Sequence, residues 1–199
     1  MKCDVLIAGV GGQGQVLASR LIGAAALEMG LNARTSETIG MSQRGGCVTS
    51  NVRIGGDILS STVPMGEADL IIGFELCETV RNLARLSQGG GLVLSSQIIS
   101  PVAVSLGLMK YDAEKMFDYI RSNVKRLIYI DAMSIANTVG LPKAANVVML
   151  GAACGAGFLP FEKETFLAVI GKNVPQKFKA LNEKAFESGY IFAKSTGIK

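Results

Sequence analysis

Apolar residues recur along this chain with two different periods. Val5-Leu6-Ile7-Ala8 is an apolar run without polar alternation, the pattern of a strand buried on both faces. From Gln15 to Met29 the apolar positions fall at helical spacing, so the strand is followed by a helix. The turn between them, Gly9-Val10-Gly11-Gly12-Gln13-Gly14, is mostly glycine. Glycine lets the backbone turn sharply, approach a ligand and leave the first N–H groups of the helix free, where the helix dipole favours an anion. A strand, a G-x-G-x-x-G turn and a helix form the nucleus of an open α/β sheet. The turn either touches a nucleotide or lets helix and strand pack closely, and the pattern alone does not choose.

Further strands are expected at 32–37, 47–54, 58–62, 68–74, 92–96 and 127–130, with Gly55-Gly56-Asp57 and Gly89-Gly90-Gly91 as turns. Two strands flanking Gly55-Gly56-Asp57, where a plain mononucleotide-binding fold has a helix, predict a mixed sheet. Helices are expected at 76–86, 112–121, 132–139, 146–156, 162–171 and 175–193. In the last of these, Phe178, Leu181, Ala185 and Phe192 share one face, and Pro175 suits its first position. The expected architecture is three-layer α/β/α with a mostly parallel, mixed sheet and a Rossmann-like start. With no linker or repeat, residues 1–199 read as one domain.

Glu37, Glu75, Ser95, Gln97 and Asp131 fall at or near strand ends, the edge at which open α/β sheets bind ligands. Glu37 is a candidate ribose ligand or a solvated carboxylate, and Asp131 a candidate helix N-cap or catalytic group. In Gly40-Met41-Ser42-Gln43-Arg44-Gly45-Gly46, glycines on either side leave Ser42, Gln43 and Arg44 free to act as donors. Arg44 can grip a phosphate or carboxylate through two parallel hydrogen bonds, or pair with an acid on its own scaffold or a partner.

Composition narrows the chemistry. Of 199 residues 49% are hydrophobic and only 18% charged, so some apolar surface is expected to be covered by another subunit. The net charge of +4 has no basic stripe behind it, which disfavours nucleic acid. The uncharged stretch 144–161 is broken by Asn146, Gly151, Gly155 and Gly157 and does not read as a membrane span. Cys3, Cys47, Cys77 and Cys154 are scattered without a C-x-x-C pair, and there is no histidine. The expectation is four reduced thiols in a cytoplasmic protein, with no metal or iron-sulfur cluster held by this chain and no catalytic residue assigned.

Several segments, in order, resemble the gamma-type subunits of the 2-oxoacid:ferredoxin oxidoreductases. They are Gly9 to Gly14, Ser42-Gln43-Arg44-Gly45-Gly46 with Val52-Arg53-Ile54-Gly55, Gly66-Glu67-Ala68-Asp69-Leu70, Ala145 to Gly151 and Pro175-Gln176-Lys177-Phe178. The indolepyruvate branch is the nearest, although Asn51 stands where many such subunits carry histidine. The resemblance implies oxidative decarboxylation of a 2-oxoacid to an acyl-coenzyme A, with electrons passed to ferredoxin. It also implies thiamine diphosphate and iron-sulfur clusters on partner subunits. Gly9, Gly11, Gly12, Gln13, Gly14, Ser42, Gln43, Arg44 and Gly45 are then the expected contacts that close the active site and position coenzyme A. A free-standing NAD(P)-dependent reductase and a purely structural assembly subunit are the alternatives.

Overall fold

The structure, a computed structural model, describes residues 1–40 and 45–197, the side chain of Val102 excepted. Ser42, Gln43 and Arg44 lie outside the described residues. The strands are β1 (Cys3–Val10), β2 (Ala33–Ile39), β3 (Cys47–Ile54), β4 (Ala68–Gly73), β5 (Leu86–Ser95) and β6 (Arg126–Ile130). The helices are α1 (Gln15–Glu28), α2 (Leu76–Asn82), α3 (Val102–Ser105), α4 (Ala113–Asn123), α5 (Ala132–Val139), α6 (Ala145–Gly155), α7 (Lys163–Asn173) and α8 (Lys179–Ser195).

One sheet runs in the order β2-β3-β1-β4-β5-β6. β1, β4, β5 and β6 pair in parallel, whereas β3 is antiparallel to both β1 and β2. The side-chain period of two divides the core into two layers. Val5, Ile7, Leu70, Ile72, Val93 and Ile128 point to the larger layer, built with α1 and α5 to α8. Leu6, Ile71, Leu92 and Leu94 point to the smaller one, with residues of α2 and α4. The expected three-layer, mixed α/β/α arrangement is therefore present.

Three local expectations are corrected. Residues 58–62 form no strand, because both edges of β3 are already hydrogen-bonded. The segment instead lies over β2 and β3, where Ser36 Oγ donates to the Ser61 carbonyl at 3.3 Å and buried Asn51 accepts a hydrogen bond from the Val63 N–H at 3.1 Å. Gly89-Gly90-Gly91 is not a turn before a strand but lies inside β5. A Cβ on Gly90 would stand 2.8 Å from the Ala68 carbonyl and one on Gly91 2.6 Å from the Phe158 ring. The bulge in the β4–β5 pairing lies at the same place, between Ala68 and Leu70. The buried face of α8 is Asn182, Ala185, Phe186, Gly189 and Ala193, rotated away from the expected face. The reason is α6: Cβ atoms on Gly151, Gly155 and Gly189 would run into the backbone of Phe186, Tyr190 and Val148 respectively, so the two helices meet backbone to backbone.

All four cysteines are free. Cys3 and Cys154 are buried, Cys77 is half-buried and Cys47 is exposed. Burial pushes the Cys3 and Cys154 thiols from 9.0 up to about 12, so the fold holds these protons more tightly than the unfolded chain does. Their contribution to stability is therefore intact below pH 9 and is lost as the pH rises from 9 to about 12. At pH 8, iodoacetamide should label Cys47 of the isolated chain first and leave Cys3 and Cys154 unlabelled until it unfolds, as read by peptide mass spectrometry. No helix among the described residues is long and apolar enough to cross a membrane.

Candidate functional site

The sheet's connections diverge between β1 and β4. The helix after β1 covers the larger core layer and the helix after β4 the smaller one, which opens a crevice at the carboxyl ends of these strands. The glycine turn forms one wall. Gly12 and Gly14 have φ of 104° and 85°, in the left-handed region that a side chain disfavours. Gly14 also has no room for one, since a Cβ there would lie 2.6 Å from Asn146 Nδ2.

Fewer donors are free in the turn than the sequence suggests. The Gly11 N–H donates to the Gly46 carbonyl at 2.9 Å and the Gln13 N–H to the Val10 carbonyl at 3.3 Å. Gly14 caps α1 without a side chain, and its carbonyl accepts from the Ala18 N–H at 3.1 Å. The N–H groups of Gln15, Val16 and Leu17 precede the first intrahelical bond, so the first turn of α1 holds the available donors and the positive end of the dipole.

The Gly11–Gly46 bond joins the two unusual stretches of the sequence. Gly40 donates to the Cys47 carbonyl at 3.0 Å, so both ends of the segment 41–44 are fixed beside the glycine turn. Gly45, exposed with a φ of 76°, sits at the exit of that segment. Gly11, Gly12, Gln13 and Gly14 are thus brought to one rim with Gly45 nearby, whereas Gly9 is buried in β1 behind Gln13, Gln15 and Phe74 and lines no part of it.

The crevice encloses about 700 Å3 and is lined by Gly11 to Gly14, Leu17, Phe74, Ser95, Gln97, Ile99, Met133, Lys143 and Asn146, among others. Lys143 is the one charged group among its described lining residues. Sequence reasoning missed Lys143 and assigned Asn146 no contact. Lys143 had a signal: it is the only charged residue between Asp131 and Glu162. Asn146 had none, because its Nδ2 reaches the Gly14 carbonyl, at 3.1 Å, only through the tertiary fold.

Of the strand-end residues, Ser95 and Gln97 face the crevice and the three acids are used elsewhere. Asp131 caps α5, accepting from the Ser134 N–H at 2.9 Å. Glu75 is buried on the other side of the sheet. It caps α2 through the Glu78 N–H at 2.9 Å and accepts from the Tyr111 hydroxyl at 2.6 Å. Burial, and then this bond to Glu75, push Tyr111 well above its ordinary range, so it stays protonated as the donor. Glu37 accepts from Ser19 Oγ at 3.3 Å on edge strand β2. The antiparallel β3 separates it from β1, so the ribose grip of a dinucleotide fold is not assembled. The arrangement offers hydrogen-bond donors, one cation and apolar walls, which suits binding and orienting an anionic ligand more than proton transfer.

Comparison with known proteins is consistent along nearly the whole chain. The family described as pyruvate ferredoxin/flavodoxin oxidoreductase matches residues 4–192. Indolepyruvate oxidoreductase subunit IorB of Archaeoglobus fulgidus is 36% identical over 191 residues, covering 96% of this chain and 94% of that protein. IorB of Thermococcus kodakarensis is 37% identical over 193 residues, covering 96% of each. The keto/oxoacid ferredoxin oxidoreductase gamma subunit of Geobacter sulfurreducens superposes with a TM-score of 0.70 at 26% identity, covering 97% of this chain and 99% of that one. With family, relatives and fold in agreement from end to end, the chain belongs to the pyruvate ferredoxin/flavodoxin oxidoreductase family, as a gamma-type subunit of a 2-oxoacid:ferredoxin oxidoreductase.

Proposed function

We propose that this subunit, acting as one unit over residues 1–199, serves a cytoplasmic indolepyruvate-type oxidoreductase and that its crevice positions coenzyme A. The observation that carries the second point is that Gly14 and Leu17, at the start of α1, line one crevice with Lys143 and with no acidic lining residue among those described. Phosphates suit backbone N–H groups at a helix N-terminus and a lysine cation, and the apolar walls at Leu17, Phe74 and Met133 suit the carrier's uncharged arm. A volume of about 700 Å3 lies within the usual range for such ligands. The indolepyruvate assignment follows the printed names of the relatives.

Thiamine diphosphate, when bound on a partner subunit, would supply the carbanion chemistry on the 2-oxoacid, and clusters there would carry electrons to ferredoxin. For the clusters this chain offers no fit: its cysteines are dispersed, and the described residues include no grouping of His, Cys, Asp or Glu able to hold a metal. Its own part is to bind, orient and close the chamber. We include Ser42, Gln43 and Arg44 because the ends of their segment are fixed to the glycine turn.

In the purified complex, Lys143→Ala and Arg44→Ala should each raise KM for coenzyme A about tenfold with kcat little changed, as for a lost ground-state contact. Unchanged KM in both would overturn the coenzyme A reading. Loss of assembly alone in Arg44→Ala would make that segment an interface element. Rates on indolepyruvate, pyruvate and 2-oxoglutarate test the substrate, and indolepyruvate should be preferred.

A further inference from the structure

Gln13 is the one side chain of the glycine turn able to donate to a ligand, yet the protein uses it fully. Its Oε1 accepts the Val10 N–H at 2.7 Å. Its Nε2 donates to the Phe74 carbonyl at 2.9 Å and to Gln97 Oε1 at 3.0 Å. A side-chain amide has two N–H donors, so no hydrogen remains for a phosphate. The three partners stand at or just past the ends of β1, β4 and β5, which are neighbours in the sheet. One amide therefore cross-links three strand ends at the rim where the crevice opens, and Phe74 and Gln97 are themselves lining residues.

We propose that Gln13 is a positioning residue: it acts through Gln97 and Phe74 to fix the distance between the glycine turn and the connection after β5, and thereby the width of the crevice. This assignment rests on the coenzyme A reading above and gives Gln13 a role different from the ligand contact expected from sequence. The network is half-buried, and displacing the Gln13 amide would break three hydrogen bonds at once. Gln97 is itself held, its N–H donating to Ser95 Oγ at 3.2 Å. Two of the network's three links span different strands, so the geometry of the turn depends on a residue far away in sequence.

The test uses the purified complex and coenzyme A itself as the probe. Gln13→Met, Gln97→Met and the double variant are compared by calorimetric Kd for coenzyme A, by KM and kcat, and by hydrogen exchange of residues 9–15. Each single variant should raise Kd and KM about tenfold with kcat within about twofold. The double variant should be no worse than Gln13→Met alone, because that variant already breaks the link to Gln97. Exchange in residues 9–15 should accelerate in both. Gln97→Glu, which keeps an acceptor for Gln13 Nε2, should leave that exchange at the wild-type rate and so separates loss of the link from general damage at position 97.

A Gln13→Met variant that weakens coenzyme A binding without accelerating exchange in residues 9–15 would overturn the proposal, because Gln13 would then act on the ligand directly. A fall in kcat or in melting temperature with Kd unchanged would overturn it too. Lys143→Ala separates the two levels. If it and Arg44→Ala both leave Kd unchanged, the coenzyme A reading fails; if it weakens binding and Gln13→Met does not, only the role of Gln13 fails.

Discussion

Replacing Arg53 with leucine should destabilise the fold by about 3–5 kcal/mol, the cost of leaving a buried charge without its partner. Asp4 is 1% exposed, and the Arg53 guanidinium holds it through two hydrogen bonds, Nε to Oδ1 at 2.8 Å and Nη2 to Oδ2 at 3.1 Å. The other cation nearby is Lys2, 3.3 Å from Asp4 but 59% exposed, and a pair so open to solvent and salt adds little. The Asp4 N–H also donates to Asp69 Oδ2 at 2.8 Å, so movement of Asp4 disturbs the start of β4 as well. Urea unfolding followed by circular dichroism gives the value directly. The double variant Asp4→Leu with Arg53→Leu should unfold at higher urea than Arg53→Leu alone, because it removes both charges. A cost below about 1 kcal/mol for Arg53→Leu would show that water or Lys2 replaces the guanidinium.

The second large effect is expected at Gly189. In an exposed helix, alanine is favoured over glycine by about 1 kcal/mol, so propensity alone predicts stabilisation. Here the added Cβ would fall on the Val148 carbonyl, and backbone cannot swing aside as a side chain can. α6 and α8 must separate, and the fully buried Val147, Val148, Met149 and Leu150 lose close contact. Overpacking of this kind costs about 1–3 kcal/mol and occasionally more, which outweighs the propensity gain. Gly171→Ala supplies the contrast. Its Cβ would meet Lys179 Cε at 2.9 Å, the far end of a flexible side chain. Thermal melting should therefore fall for Gly189→Ala and hold or rise for Gly171→Ala; equal shifts would mean that the α6–α8 contact yields easily.

Local periodicity and turn chemistry made β1, the glycine turn, α1 and the Asp131 cap legible, because each depends on residues adjacent in sequence. The mixed character of the sheet was legible, although the hairpin about Gly55 from which it was inferred does not form and the antiparallel pairs are those of β3 with β1 and β2. What followed that turn was not, since whether 58–62 forms a strand depends on whether β3 has a free edge, and β1 and β2 occupy both. The glycines of β5 were misread, and Gly189 of the α6–α8 contact was passed over, because their meaning lies in what presses on them: the Ala68 carbonyl, the Phe158 ring, the Val148 backbone. In the site, the rim was foreseen as a place, but the uses of its side chains were not. Glu75 and Glu37 carried the expected chemistry at the expected edge and are spent on Tyr111 and Ser19, while Lys143 arrives from a distant turn.

The Asp4–Arg53 clamp and the crevice lie at opposite rims of the same sheet, one at the amino ends of the parallel strands and one at their carboxyl ends. Heat tolerance and turnover are accordingly two separate targets for engineering. A library varying Lys2, Asp4, Arg53, Glu67 and Asp69 can be selected for thermal hardiness alone, and the survivors should keep the catalytic profile of their parent.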